Sequence, residues 1–229
     1  MLASKQMVHE KVIRSFIRSL NDSSDRYILK GGTALMLCYG LNRFSEDIDL
    51  DSTDRKTIRT VVDRFCKKNG YSFRIGKDTP TTLRFLIHYD DGKPLKVEVS
   101  YRTKRLSRDT TVINGILVYG INKLCDMKRG AYQSRDRIRD LFDLSFIVNK
   151  YFDELDYELL LNVAEAISYK GDLKQFDYLV ATQHDEFIDD DALAESFMNA
   201  IDKLGLLTDR DAGENEHEKS FSNHPFADK

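Results

Sequence analysis

Near residue 120 the hydrophobic period of the chain changes, and that change limits the folds open to it. Before it, apolar residues alternate with polar ones at Tyr71, Phe73 and Ile75, at Leu83, Phe85, Ile87 and Tyr89, and at Leu95, Val97, Val99 and Tyr101. Period 2 puts each set on one face of a strand. Asp90-Asp91-Gly92 between the last two runs reads as a hairpin turn. Tyr27–Lys30 reads as a short extended segment, and residues 110–119 as one further strand. Two helical faces interrupt the pattern. Val8, Val12, Phe16 and Leu20 recur every four residues until the turn cluster Asn21-Asp22-Ser23-Ser24, and Ile58, Val61, Val62 and Phe65 end at Gly70, a C-cap. From Asn122 almost to Leu206 the signal is helical, with faces such as Leu155/Leu159/Val163/Ile167 and Leu193/Phe197/Ile201/Leu204. Strands and helices first, helices alone second, is an α+β plan. It predicts a mixed-sheet α/β domain over residues 1–120, a helical domain over 121–207, and a polar, aperiodic, disordered tail over 208–229.

A chain of 229 residues can bury a core without disulfides or structural metal. No apolar run approaches the ~18 residues of a membrane span. Lys5, His9, Glu10 and Lys11 break every apolar run at the N-terminus, so no signal peptide is expected. Cys38, Cys66 and Cys125 are odd in number and form no CxxC, as expected of reduced thiols in a cytoplasmic protein. The five histidines show no metal-ligand spacing, so zinc is not expected. The net charge of −3 conceals an uneven distribution. Residues 185–218 hold 12 acids and 2 bases, whereas residues 102–139 hold ten bases and three acids. A basic centre of that kind suits a polyphosphate or an RNA backbone, and the acidic segment could offset it or attract a basic partner.

Two short patterns carry chemistry. Asp47, Asp49 and Asp51 share one strand face, with Ile48 and Leu50 on the other. Like charges so close repel, and a hard divalent cation would reverse that cost while keeping substrate phosphates as further ligands. Glu98, on the polar face of its own strand, supplies a third carboxylate if the two strands are neighbours. The plain reading is an acidic, solvated strand end. Gly31-Gly32-Thr33 precedes a helix through Ala34-Leu35-Met36-Leu37, with Thr33 as its cap. Glycines let backbone N–H groups approach an anion at a helix start, although a Gly pair also serves as a simple tight turn.

Together the patterns are far more specific. The stretch KGGTALMLCYGLNRFSEDIDLD, residues 30–51, resembles the AbiEii/AbiGii-type nucleotidyltransferase toxins of the DNA polymerase β-like superfamily. A second block fits the same family: Lys128, Arg135 seven residues on, then Arg139-Asp140-Leu141-Phe142-Asp143-Leu144. The resemblance extends over residues 27–150 and implies a nucleotidyltransferase fold with flanking helices, completed by a C-terminal helical bundle. It implies that Gly31, Gly32 and Thr33 bind a nucleoside triphosphate (NTP), with Arg43 and Ser45 in the same pattern. Asp47 and Asp49 would hold Mg²⁺ or Mn²⁺, with Glu98 as third ligand or base. Lys128 would neutralise triphosphate charge, and Asp143, or alternatively Asp140, would orient Lys128 or the acceptor. One departure is Met127, where many relatives carry an acid; Asp126 stands one place earlier. The implied acceptor is RNA, such as a tRNA 3′ end, and the implied partner an antitoxin, acting directly or indirectly. Transfer to a protein or an aminoglycoside-like small molecule, and a non-catalytic nucleotide- or RNA-binding module, are the rival readings.

Overall fold

The computed structural model describes residues 2–102 and 105–207. The chain divides into two compact units, Met1–Leu124 and Cys125–Lys229. The expected tail over residues 208–229 lies outside the described residues.

The first unit is built on a seven-stranded sheet. In chain order it comprises α1 (Leu2–Asn21), β1 (Tyr27–Lys30), α2 (Gly31–Ala34) continued by a π-helical turn (Leu35–Tyr39), β2 (Ile48–Ser52) and α3 (Thr57–Asn69). Then come β3 (Ser72–Thr79), β4 (Thr82–His88), β5 (Leu95–Ser100), β6 (Thr110–Ile113) and β7 (Ile116–Tyr119). The sheet runs β3-β4-β5-β2-β1-β7-β6. It is mixed: β2 pairs parallel with β5 and β1 parallel with β7, and the other neighbours are antiparallel.

The alternation of β5 explains its place. Leu95, Val97 and Val99 are fully buried, while Lys96, Glu98 and Ser100 are only partly covered. Helix α1 buries Val12, Ile13, Phe16, Ile17 and Leu20, and Phe16 meets Phe65 of α3 edge to face at 5.3 Å. Val8 departs from the expected face and is 47% exposed. Gly70 closes α3 with φ 71°, as a C-cap should. Residues 110–119 form a hairpin rather than one strand. Asn114 and Gly115 both adopt positive φ, 51° and 78°, the pair of left-handed residues that a tight two-residue turn requires.

In the second unit lie α5 (Ile138–Tyr151), a 3-10 turn (Phe152–Glu154), α6 (Tyr157–Lys170), α7 (Asp172–Thr182) and α8 (Asp190–Lys203). Helix α4 (Ile121–Ser134) carries the chain from one unit into the other. Helix α5 is apolar on most sides, burying Ile138, Leu141, Phe142, Leu144, Ile147 and Val148. It packs against α8, whose Leu193, Phe197 and Ile201 are buried, as is Leu204 just beyond it. Among the described residues, no helix is long and apolar enough to cross a membrane.

Candidate active site

The glycine pair is placed by close approach. Strand β1 ends at Lys30 and α2 starts at the next residue, with no side chain capping its N-terminus. Gly31 has φ 75°, a region that residues with a Cβ rarely adopt. A Cβ there would stand 3.0 Å from Asp49 Oδ2, and one at Gly32 would stand 2.8 Å from Arg43 Nη2 and 2.9 Å from Ser45 Oγ. The helix start thus lies against the carboxylate on one side and against Arg43 and Ser45 on the other.

Thr33 lies inside the helix and is not its cap. Its buried hydroxyl hydrogen-bonds the Asp47 carbonyl and lies 2.9 Å from Ser45 Oγ. A carbonyl only accepts, so Thr33 gives its single proton to Asp47 and the Ser45 hydroxyl supplies the proton between the two. Thr33 and Ser45 therefore tie the helix to the segment leading into β2. Arg43 is 5% exposed, and its Nη1 donates to the Phe44 carbonyl at 3.1 Å. His9 of α1 holds the same segment: its Nε2 donates to the Glu46 carbonyl at 2.7 Å, and its Nδ1 meets the Tyr89 hydroxyl. No spacing in the sequence announces that tether.

The carboxylates lie on the half-open face of the sheet. Asp49 is in register with Glu98 on β5 and with Lys30 on β1, so the three side chains project from the same face. Asp47, Glu98 and Asp51 each meet a cation from a neighbouring strand. Lys96 Nζ lies 2.5 Å from Asp47 Oδ2. Arg84 donates to Glu98 Oε2 from Nε at 2.7 Å and Nη2 at 2.6 Å. Lys30 Nζ lies 2.5 Å from Asp51 Oδ1, and the Tyr119 hydroxyl donates to Asp51 Oδ2 at 3.0 Å. Asp51 is buried and committed to those two partners, so the open carboxylate pair is Asp47 and Asp49. Burial pushes the Asp49 carboxyl above the usual carboxylate range; Lys96 opposes this most strongly, Asp47 and Glu98 add to it, and Lys30 opposes it.

Two hard oxygen donors suffice for Mg²⁺, which binds through one or two carboxylates and keeps waters and substrate phosphates as its other ligands. Asp47 and Asp49 fit that donor set. Among the described residues, no group of three or more His, Cys, Asp or Glu side chains is arranged to hold a metal ion. The cysteines offer no rival chemistry, since burial pushes the thiols of Cys38 and Cys66 up to about 11 and that of Cys125 to about 12.

The residues of the second sequence block form a cluster within the second unit. Lys128 Nζ lies 2.5 Å from Asp143 Oδ2 and 3.4 Å from Asp140 Oδ1. Arg135 donates to Asp140 from Nε at 2.6 Å and Nη2 at 3.0 Å. Both acids are buried on α5, at 1% and 0% exposure, and the Lys128 side chain is 11% exposed. Two cations facing two carboxylates make the burial tolerable. Asp126 pairs with Arg129 one turn along α4. Arg139 pairs with Asp185 and lies over the Phe187 ring. Gln183 holds the first turn of α5: its Oε1 accepts from the Ile138 N–H at 3.0 Å and its Nε2 donates to the Asp136 carbonyl at 2.8 Å. Gln183 carried no sequence signal.

Aspartates on a mixed sheet beside a glycine-led helix, with helices following, are the arrangement that the sequence resemblance implies for a nucleotidyltransferase, and solved structures share the fold. JHP933 from Helicobacter pylori superposes with a TM-score of 0.73 at 29% identity, over 88% of this chain and 91% of that one. A second H. pylori structure, assigned as a nucleotidyltransferase, gives 0.72 at 30% identity over 88% and 94%. MenT4, the nucleotidyltransferase toxin Rv2826c of Mycobacterium tuberculosis, shares the fold at a TM-score of 0.53 and 18% identity, over 90% and 85%. No curated protein sequence matches the chain. The profile of the family described as nucleotidyl transferase AbiEii toxin, type IV toxin–antitoxin system, matches residues 15–221. The chain belongs to that family and is a nucleotidyltransferase.

Proposed function

We propose that the chain moves a nucleoside monophosphate from an NTP to an acceptor hydroxyl on RNA, with a tRNA 3′ end as the target, in the manner of a toxin. The acceptor hydroxyl gives up its proton to a carboxylate of the site, its oxygen bonds to the α-phosphorus, the bond to the bridging oxygen breaks, and pyrophosphate leaves. What carries the reading is the contact of Gly31 with Asp49 (a Cβ would be 3.0 Å from Oδ2), because it brings an anion-accepting helix start and an acidic pair together.

In this reading Gly31 and Gly32 offer backbone N–H groups to the triphosphate, Thr33 and Ser45 hold the turn, and Arg43 brings its guanidinium beside Gly32. Asp47 and Asp49 would hold Mg²⁺ or Mn²⁺, which when bound supplies charge neutralisation of the phosphates. Glu98 stands beside Asp49 as a further carboxylate, held by Arg84. Lys128, paired with Asp143 and Asp140, is the compact cation that the resemblance implies for triphosphate oxygens. The basic stretch over residues 102–139 supports RNA as acceptor. A cytoplasmic site of action, and an antitoxin that restrains the enzyme directly or indirectly, follow as parts of the same proposal.

The test is to incubate the protein with each labelled NTP, Mg²⁺ and total tRNA. Label moving to RNA with wild type but not with Asp49→Ala supports the proposal. Label on protein or small molecules overturns the RNA acceptor, and no transfer under any condition overturns the catalytic assignment of these residues.

A further inference from the structure

Three acids on the half-open sheet face meet cations from neighbouring strands, and the three pairs are not alike. Asp51 is buried and shared with Tyr119, so Lys30 is fixed. Glu98 is held by a guanidinium through two nitrogens. Asp47 is held by an ammonium alone, with its side chain 36% exposed and that of Lys96 31% exposed. An ammonium is a point charge on a flexible stem, with no planar fork to lock it in place. A partly exposed pair of this kind is weak and can open into solvent. Lys96 is therefore the cation most easily withdrawn, and it sits on a candidate metal ligand. It is also the foremost of the charges that favour the ionised form of Asp49.

We propose that Lys96 is a built-in counter-ion for the Asp47/Asp49 pair: its ammonium holds the place beside Asp47 that a divalent cation takes, and the cation binds only as Lys96 leaves. The inference rests on the metal role assigned to Asp47 and Asp49 above. It follows from simple electrostatics. An ammonium in contact with Asp47 and a divalent ion on the same carboxylate repel each other strongly at that separation. Lys96 thereby keeps the acidic pair neutralised between turnovers, makes cation affinity weaker than two carboxylates alone would give, and is freed for other anions when the cation arrives.

The test is a Mn²⁺ titration of the full chain without nucleotide, followed by calorimetry and by the paramagnetic signal of free Mn²⁺. Wild type is compared with Lys96→Gln, Lys93→Gln and Asp47→Asn. Lys93 is the matched control: it pairs with Glu46, one residue before Asp47, at 2.8 Å. Removing a competitor bound as weakly as a partly exposed pair should tighten Mn²⁺ binding about fivefold in K96Q. Loss of the same charge in K93Q should change it less than about twofold, because salt screens an exposed charge that touches neither Asp47 nor Asp49. Affinity in K96Q equal to or weaker than wild type overturns the proposal, as does an equal gain in K93Q. Asp47→Asn binding Mn²⁺ as well as wild type overturns the metal reading itself, so the two failures are distinguishable.

Discussion

Gly31→Ala and Gly70→Ala form a pair of substitutions that separates strain from site geometry. The two glycines have nearly the same backbone, φ 75° and 71°. An added Cβ meets nothing within 4 Å at Gly70, whereas at Gly31 it stands 3.0 Å from Asp49 Oδ2. Holding an alanine in the left-handed region costs roughly 1–2 kcal/mol, and the lower entropy of the unfolded alanine chain offsets part of this. Both variants should therefore lose about 1 kcal/mol, a fall in Tm of about 2–4 °C for a chain of this length. Only Gly31→Ala must also push the Asp49 carboxylate away by a few tenths of an ångström. Because misplacing a reacting group by about 1 Å can cost 100-fold, a displacement of that size should lower nucleotidyl transfer by about tenfold. Gly70→Ala should stay within about twofold of wild type. Thermal melts and the labelled-NTP assay measure the two effects separately. Transfer by Gly31→Ala within twofold of Gly70→Ala would show that the contact with Asp49 does not matter, and the assignment of the site would fall with it.

Other perturbations probe the remaining contacts. In EDTA, Asp49→Asn should raise Tm at about pH 7. A carboxyl whose folded pKa is raised contributes stability below its unfolded pKa near 4 and loses it as pH rises through the folded value, so the advantage of Asn should fade on acidification; an equal gain at about pH 3.5 would refute this. Lys128→Met should cost about 3 kcal/mol in denaturant unfolding, the low end for breaking a buried pair because Arg135 stays on Asp140. The double variant Lys128→Met/Asp143→Leu should regain part of that loss, and no recovery would argue against a charge effect. Gln183→Ala removes two hydrogen bonds from the start of α5, about 1–3 kcal/mol in all, and should speed amide exchange at Ile138. Unchanged exchange there would mean that Gln183 does not hold the helix.

Most elements were legible because one face of each is buried outright. The alternation of β5 and the helical face of α8 could be read directly, since a slip of one residue would expose Leu95, Val97 and Val99, all at 0% exposure. The misreadings have local causes. The run over residues 110–119 is apolar enough to pass for one strand, and the Asn114-Gly115 signal inside it was the clue to the hairpin. Thr33 has the composition of a cap, but the helix begins two residues earlier at Gly31, whose φ suits a glycine. Strand order is different in kind. No local pattern says that β5 lies beside β2, and the place of Glu98 next to Asp49 depended on that alone.

The same limit explains which half of the site was visible. Glycines and alternating aspartates are written in one short stretch, because backbone geometry demands them locally. Lys30, Lys96 and Arg84 were in plain view but carried no role, since their partners are defined only by register across strands. Once the pairs are known, the repulsion among Asp47, Asp49 and Asp51 no longer argues for a metal, because folding itself supplies a cation to Asp47 and to Asp51. The weight moves to two other facts. Asp49 stays raised by burial despite Lys96 and Lys30, a cost that a merely structural aspartate would not need to retain. And a backbone position pressed against it is a glycine with positive φ at the start of a helix, where an anion is favoured. Beside a helix start where an anion is favoured, an acid held at that cost would be relieved by a cation shared with a phosphate, in keeping with the metal role proposed for Asp47 and Asp49.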